Sequence, residues 1–214
     1  LDEQHANWNG PSIFMYVEGQ KQNPVSLSVV APDNWTIING EVLRPGQRFF
    51  RFATYDQLVD TPTEVAPSAS LMLESFVVDG RQYRLMIHHA GDVSDSTRRR
   101  FVRDVESIVR YQNSVFAAPP IDQYTFLFHL GFKGWDGMEH LNSTQITVPT
   151  PWTAAAKLLP GIEEASHEYF HVWNVKRLRP AELGPFDYEN ENFTRSLWIA
   201  EGVTDYYAEL LVHR

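Results

Sequence analysis

Residues 166–180 read Ser166-His167-Glu168-Tyr169-Phe170-His171-Val172-Trp173-Asn174-Val175-Lys176-Arg177-Leu178-Arg179-Pro180, and the first six decide what the rest of the chain must build around them. The pattern predicts a helix over about 161–178. Two histidines four residues apart share one face of a helix, so both imidazoles can reach a single ion. The glutamate beside the first can then reach water held by that ion. His167 and His171 are therefore the candidate ligands, and Glu168 is the candidate base.

A catalytic zinc needs a third protein ligand and keeps a fourth position open. The chain has no cysteine, so that ligand is a carboxylate or another histidine. Glu182, Asp187, Glu189 and Glu191 fall in a stretch rich in Pro, Gly and Asn that reads as a loop. Glu201 falls in Leu197-Trp198-Ile199-Ala200-Glu201-Gly202-Val203-Thr204-Asp205-Tyr206-Tyr207, part of a predicted helix over about 194–213. A helix aims a ligand better than a loop, and Asp205, one turn on, can accept the free ring N–H of a metal-bound histidine. This favours Glu201, although spacing alone also admits Glu191.

Composition narrows the rest. The 18 Lys and Arg against 27 Asp and Glu give a formal charge of −9, which repels phosphate backbones and argues against nucleic acid as a partner. No run approaches the ~18 apolar residues of a membrane span, and no basic-then-apolar segment at the start reads as a signal peptide. A soluble protein is expected, with nothing to choose between cytoplasm and periplasm. The chain begins at Leu1 and stops at Arg214 within a helical pattern, so it reads as part of a longer one.

Short β-rich runs at 26–30, 48–53, 71–78 and 81–87 are separated by turn residues, and Asp79-Gly80 has the composition of a type I′ hairpin turn. Ser94-Asp95-Ser96 supplies N-cap oxygens to a helix reaching about Phe116, whose Arg98, Arg99, Arg100 and Arg103 read as a solvated face. Ala117-Ala118-Pro119-Pro120 is the expected boundary. Strands follow at 124–130 and 145–148, the latter ending before Pro149 and Pro151, with an irregular loop over Gly131–Gly137. The expectation is an α+β protein: an N-terminal antiparallel β domain with a closing helix over 1–118, then part of a metal-binding domain over 121–214.

These segments resemble the glycyl aminopeptidases, which pair an H-E-x-x-H zinc helix with a downstream L-W-x-x-E-G-x-T-x-Y-Y helix. His167–Pro180 is similar to the first and Ser196–Tyr207 to the second, with Pro185-Phe186-Asp187-Tyr188 similar to the connecting loop. Trp135-Asp136-Gly137-Met138-Glu139-His140-Leu141-Asn142-Ser143 is similar to a G-G-x-E-H-x-N-S segment, with Asp136 in place of a second glycine. Tyr55–Pro62 is similar to part of the N-terminal β domain.

The resemblance implies a thermolysin-like (gluzincin) fold, a Zn2+ cofactor on His167, His171 and Glu201, and Glu168 as general base. The implied substrate is a peptide with a free N-terminus, from which a small residue such as Gly or Ala is removed. Gly137, Met138, Glu139 and His140 would contact it, with Glu139 on its α-ammonium. Further helices and a PDZ domain are implied downstream. Tyr206 and Tyr207 are expected to pack in the core rather than stabilise an oxyanion. Two rivals stay open: a zinc-containing binding or scaffold module without activity, and a zinc endopeptidase to which Glu139 is a bystander.

Overall fold

The computed structural model describes residues 5–150 and 158–212. The chain forms two compact units, Leu1–Leu71 and Met72–Arg214. Pro151 and the expected helix end at His213 lie outside the described residues.

The first unit is antiparallel β structure, as the sequence suggests. β1 (Ala6–Trp8) and β3 (Trp35–Asn39) flank β5 (Thr63–Pro67), while β2 (Val25–Ser28) pairs with β4 (Phe49–Phe52). In β4, Phe50 and Phe52 are buried and Phe49 and Arg51 exposed, the period-two signature of a half-buried strand. A short helix, α1 (Tyr55–Val59), starts where the Thr54 hydroxyl accepts a hydrogen bond from the Gln57 N–H.

The second unit is built on a five-stranded sheet in the order β6-β7-β8-β10-β9. β6 (Leu71–Val78) and β7 (Arg81–His89) meet at Asp79 and Gly80, whose φ values of 52° and 75° are the left-handed pair a type I′ turn requires. α2 (Asp95–Phe116) is capped by the Ser94 side chain, which accepts from the Thr97 N–H. Its arginines pair with carboxylates: Arg98 with Glu74 and Asp95, Arg100 with Asp104.

Beyond α2 the sheet continues mainly with parallel pairing. β8 (Gln123–Leu130) lies parallel to β7, and β10 (Ser143–Val148) lies parallel to β8, while the terminal strand β9 (Asp136–Glu139) runs antiparallel to β10. Parallel neighbours require a crossover, and α2 supplies it. The Ala117–Pro120 segment is thus a tight return into β8, held by the Arg81 guanidinium on Pro119 O at 2.7 Å, and the two units divide at 71 and 72 instead of near 118. β8, buried throughout Tyr124–Leu130, reads as the near-continuous apolar run of a central parallel strand.

α3 (Leu159–Phe170) packs against this sheet and α2 through Ile162, Ala165 and Tyr169. It is shorter than the sequence predicts, because turns replace helix over 171–178. α4 (Val203–Val212) follows a π-helical segment, Trp198–Gly202, where an uninterrupted helix from 194 is expected. Polar clips fix α3 in place. The Tyr169 hydroxyl donates to Asn113 Oδ1 at 2.8 Å and lies 2.9 Å from the Tyr83 hydroxyl. Gln112 Nε2 donates to Ser166 O at 2.8 Å, and Ser166 Oγ donates to Ala208 O at 3.1 Å. Among the described residues no helix is long and apolar enough to cross a membrane.

Tyr169→Phe would leave buried Asn113 Oδ1 without its hydroxyl donor. The expected cost is about 1–3 kcal/mol in urea unfolding, with no gain in stability from the added apolar surface.

Candidate metal centre

α3 brings His167 and Glu168 onto successive positions, and His171 keeps right-handed helical backbone at the C-cap (φ −59°, ψ −15°), so the i, i+4 geometry survives the early helix end. The two imidazoles face each other with their Nε2 atoms 3.0 Å apart. Glu201 Oε2 lies 3.4 Å from His167 Nε2 and 3.5 Å from His171 Nε2. Glu191, the alternative by spacing, is in an exposed loop, and Asp187 turns its carboxylate onto the backbone of Glu189 and Asn190.

Donor chemistry tests whether a metal fits. His171 Nδ1 is 2.7 Å from Asn174 O, and a carbonyl only accepts, so Nδ1 carries the proton and Nε2 presents a lone pair. His167 Nδ1 is 2.8 Å from Asp205 Oδ1, which directs the same tautomer. Three potential ligand atoms therefore converge on one place, where a cation, or in its absence a proton shared between an imidazole Nε2 and Glu201, offsets their repulsion. Their separations of 3.0, 3.4 and 3.5 Å match the edge of about 3.4 Å expected for a tetrahedron with bonds of ~2.0–2.1 Å. His167, Glu168 and His171 also form a cluster whose ligand atoms lie within 4.8 Å of one another.

Glu168 is 3% exposed and lies against β9. A Cβ on Gly137 would collide with the Glu168 carboxylate and come within 2.8 Å of Glu164 Oε1, so a larger residue here would require those carboxylates to move. Thr144 Oγ1 lies 3.3 Å from Glu168 Oε2 and donates to Met138 O at 2.9 Å. Burial above all, then the nearby Glu139 charge, pushes the Glu168 carboxyl up to about 8. Glu201 moves the opposite way: the imidazoles of His167 and His171 hold it well below the usual carboxylate range.

Strand alternation puts Glu139 on the same face of β9 as Gly137, toward α3, and Met138 on the other. The Glu139 charge acts on both Glu168 and His171. His140 is 3% exposed, and its N–H donates to Ser143 O in the turn between β9 and β10. Tyr207 packs between Phe116 and Phe170, at 5.0 and 5.3 Å. Tyr206, expected in the core, is 62% exposed, because it falls on the opposite side of α4.

The structure adds two residues the sequence reading did not single out. Glu164, one turn before Glu168, accepts from Trp135 Nε1 at 3.2 Å and is shifted upward by burial. The i, i+4 relation to Glu168 was the available signal. Asn174, seven residues after His167, is the other, and it touches both segments that bear the candidate ligands.

Comparison with known proteins gives a consistent picture. A family model described as M61 glycyl aminopeptidase matches residues 161–214, and one described as the peptidase M61 N-terminal domain matches residues 1–67; together they take in more than half of the chain. The crystal structure of an aminopeptidase N family protein from Idiomarina loihiensis superposes with a TM-score of 0.87 at 30% identity. The match covers 100% of this chain and 38% of that one, so the chain spans well under half the length of this relative. No curated protein matches.

The upward shift of Glu168 carries a prediction for the metal-free chain. Its proton is held more tightly folded (about 8) than unfolded (near 4.5), so its stabilising contribution is complete below the unfolded value and lost as pH rises through the folded one. Glu168→Gln should raise the melting temperature of the chelator-treated chain by about 5 °C or more at pH 9 and leave it nearly unchanged at pH 5. An equal shift at both pH values would show that the buried charge is not its source.

Proposed function

We propose, from the premise that the chain belongs to the M61 glycyl aminopeptidase family, that it carries the zinc-binding half of an aminopeptidase active site. The observation that carries this reading is the convergence of three potential ligand atoms, His167 Nε2, His171 Nε2 and Glu201 Oε2, beside a buried carboxyl. Zn2+ held by them would supply Lewis acidity, which polarises a carbonyl and makes water acidic near neutral pH. The absence of cysteine and the mixed imidazole and carboxylate donor set suit this ion.

The chain's own residues do the rest. Glu168 takes a proton from the attacking water onto its carboxylate and returns it to the departing amine. Its raised affinity for a proton suits both halves of that task, since a general base works best with a value near the working pH. A cation beside it lowers that affinity toward neutrality. Asp205 and Asn174 O keep the two imidazoles in the tautomer that leaves Nε2 free. Glu139, on the face of β9 that looks toward α3, pairs with the substrate's α-ammonium, a charge that needs an anionic partner once desolvated.

Gly137 and Met138 lie on the terminal strand of the sheet, where an extended peptide can add along the outer edge, and His140 closes the turn behind them. The substrate class is therefore a peptide with a free N-terminus, and by the family description one beginning with a small residue such as glycine.

Glu168→Gln should retain one equivalent of zinc and lose hydrolysis of glycyl and alanyl anilides by about 10²–10⁴-fold. Acetylating the substrate's amino group should abolish cleavage. Cleavage of the acetylated substrate would identify an endopeptidase, and a full zinc complement with no hydrolysis by the unmutated chain would leave the binding module.

A further inference from the structure

Asn174 lies in the turns that follow α3, and its two polar ends serve different partners. Its main-chain carbonyl accepts the Nδ1–H of His171 at 2.7 Å. Its side-chain amide lies 2.9 Å from Ile199 O, 3.3 Å from Ala200 O and 3.1 Å from Thr204 Oγ1. Two N–H groups thus serve three acceptors, and the Thr204 hydroxyl spends its own proton on Ala200 O at 2.6 Å.

The two carbonyls so engaged immediately precede Glu201, inside the π-helical segment Trp198–Gly202. A π-turn holds one more residue than an α-turn, and in an α-helix each residue advances about 100°, so its presence or absence changes where a side chain within it points. Such a turn costs regular i to i+4 bonds. Here side chains satisfy the carbonyls that regular bonds would otherwise take, Asn174 from the neighbouring segment and Thr204 from within α4. Without the amide, Ile199 O loses the donor at 2.9 Å and the π-turn loses its anchor to the segment that bears His171.

We propose that Asn174 is a positioning residue for the metal: its amide holds the π-turn that aims Glu201 at the two histidines, while its carbonyl sets the tautomer of His171. The inference rests on the reading of His167, His171 and Glu201 as the zinc site. It concerns how the third ligand is held, and it separates the two functions of one residue, since substitution of the side chain leaves the carbonyl in place.

The test uses the 214-residue chain and Zn2+ itself, titrated in competition with a chromophoric chelator, with four variants: Asn174→Ala, Asn174→Asp, Glu201→Ala and the double Asn174→Ala/Glu201→Ala. Asn174→Asp keeps the shape and removes the donors. Both Asn174 single variants should weaken zinc binding by about 10–100-fold. In the Glu201→Ala background, Asn174→Ala should cost nothing further, because the group it positions is gone. The visible spectrum of the Co2+-loaded Asn174→Ala chain should shift toward that of Glu201→Ala.

Unchanged zinc affinity in the Asn174 variants overturns the proposal. So do losses that add in the double variant, or apo chains of both Asn174 variants that melt far below the unmutated one, since these identify a merely structural role. Unchanged affinity in Glu201→Ala is a different result: it removes the zinc-site reading, and the proposal with it.

Discussion

Three lone-pair atoms held within 3.5 Å of one another are the constraint on which the second unit is organised. A shared proton or a cation can draw two imidazole nitrogens and a carboxylate oxygen together, but neither fixes their directions. Those are set because each is fastened from behind: His167 by Asp205, His171 by Asn174 O, and Glu201 by the π-turn that carries it. The stabilisation needed to hold that arrangement comes from α3, whose inner face packs Ile162, Ala165 and Tyr169 against the sheet and α2. The polar clips through Asn113, Tyr83, Gln112 and Ser166 then limit rotation of the helix about its axis. A helix free to rotate by even a fraction of a turn would not keep two imidazoles aimed at one point.

The strand side of the site meets a second demand. As the proposed base, Glu168 would need to be close to the metal position to exchange protons there, yet shielded enough to hold one near neutral pH. Gly137 reconciles the two by letting β9 pass directly over the carboxyl. Because side chains alternate along β9, the same placement turns Glu139 toward α3 two residues on. One antiparallel terminal strand thereby shields the candidate base and presents the candidate anchor for the substrate's amino group.

Features encoded within a few residues were legible in the sequence. The His167 and His171 spacing, the Asp79-Gly80 turn and the Ser94 cap each depend on contacts at most four residues apart. The parallel pairing of β7 with β8 was not, since it joins strands on either side of a 22-residue helix and no local pattern distinguishes it from an antiparallel neighbour. For the same reason the Pro119-Pro120 return looked like a domain boundary. The π-turn at Glu201 escaped because tertiary hydrogen bonds from the Asn174 amide take carbonyls of that segment, while propensity describes the segment alone. Tyr206 and Tyr207 are both expected in the core, but successive helical residues point about 100° apart, and only Tyr207 is packed there.

Five carboxylates, Glu139, Glu164, Glu168, Glu201 and Asp205, surround two histidines, and their environments sort them. Glu201 faces the imidazoles and is driven far toward its charged form, as a cation in the same place would also drive it. Glu168, one residue from His167 but turned under β9, is driven toward its protonated form by burial and by Glu139. Glu164, one turn earlier, moves in the same direction. Groups of one chemical type pushed apart in this way take different roles in acid and base chemistry. The division does not come from residue identity or from distance along the chain. It comes from which carboxyl the fold turns toward the imidazoles and which it covers with a strand, so the proposed assignment of ligand and base follows from the packing between α3, β9 and the π-turn.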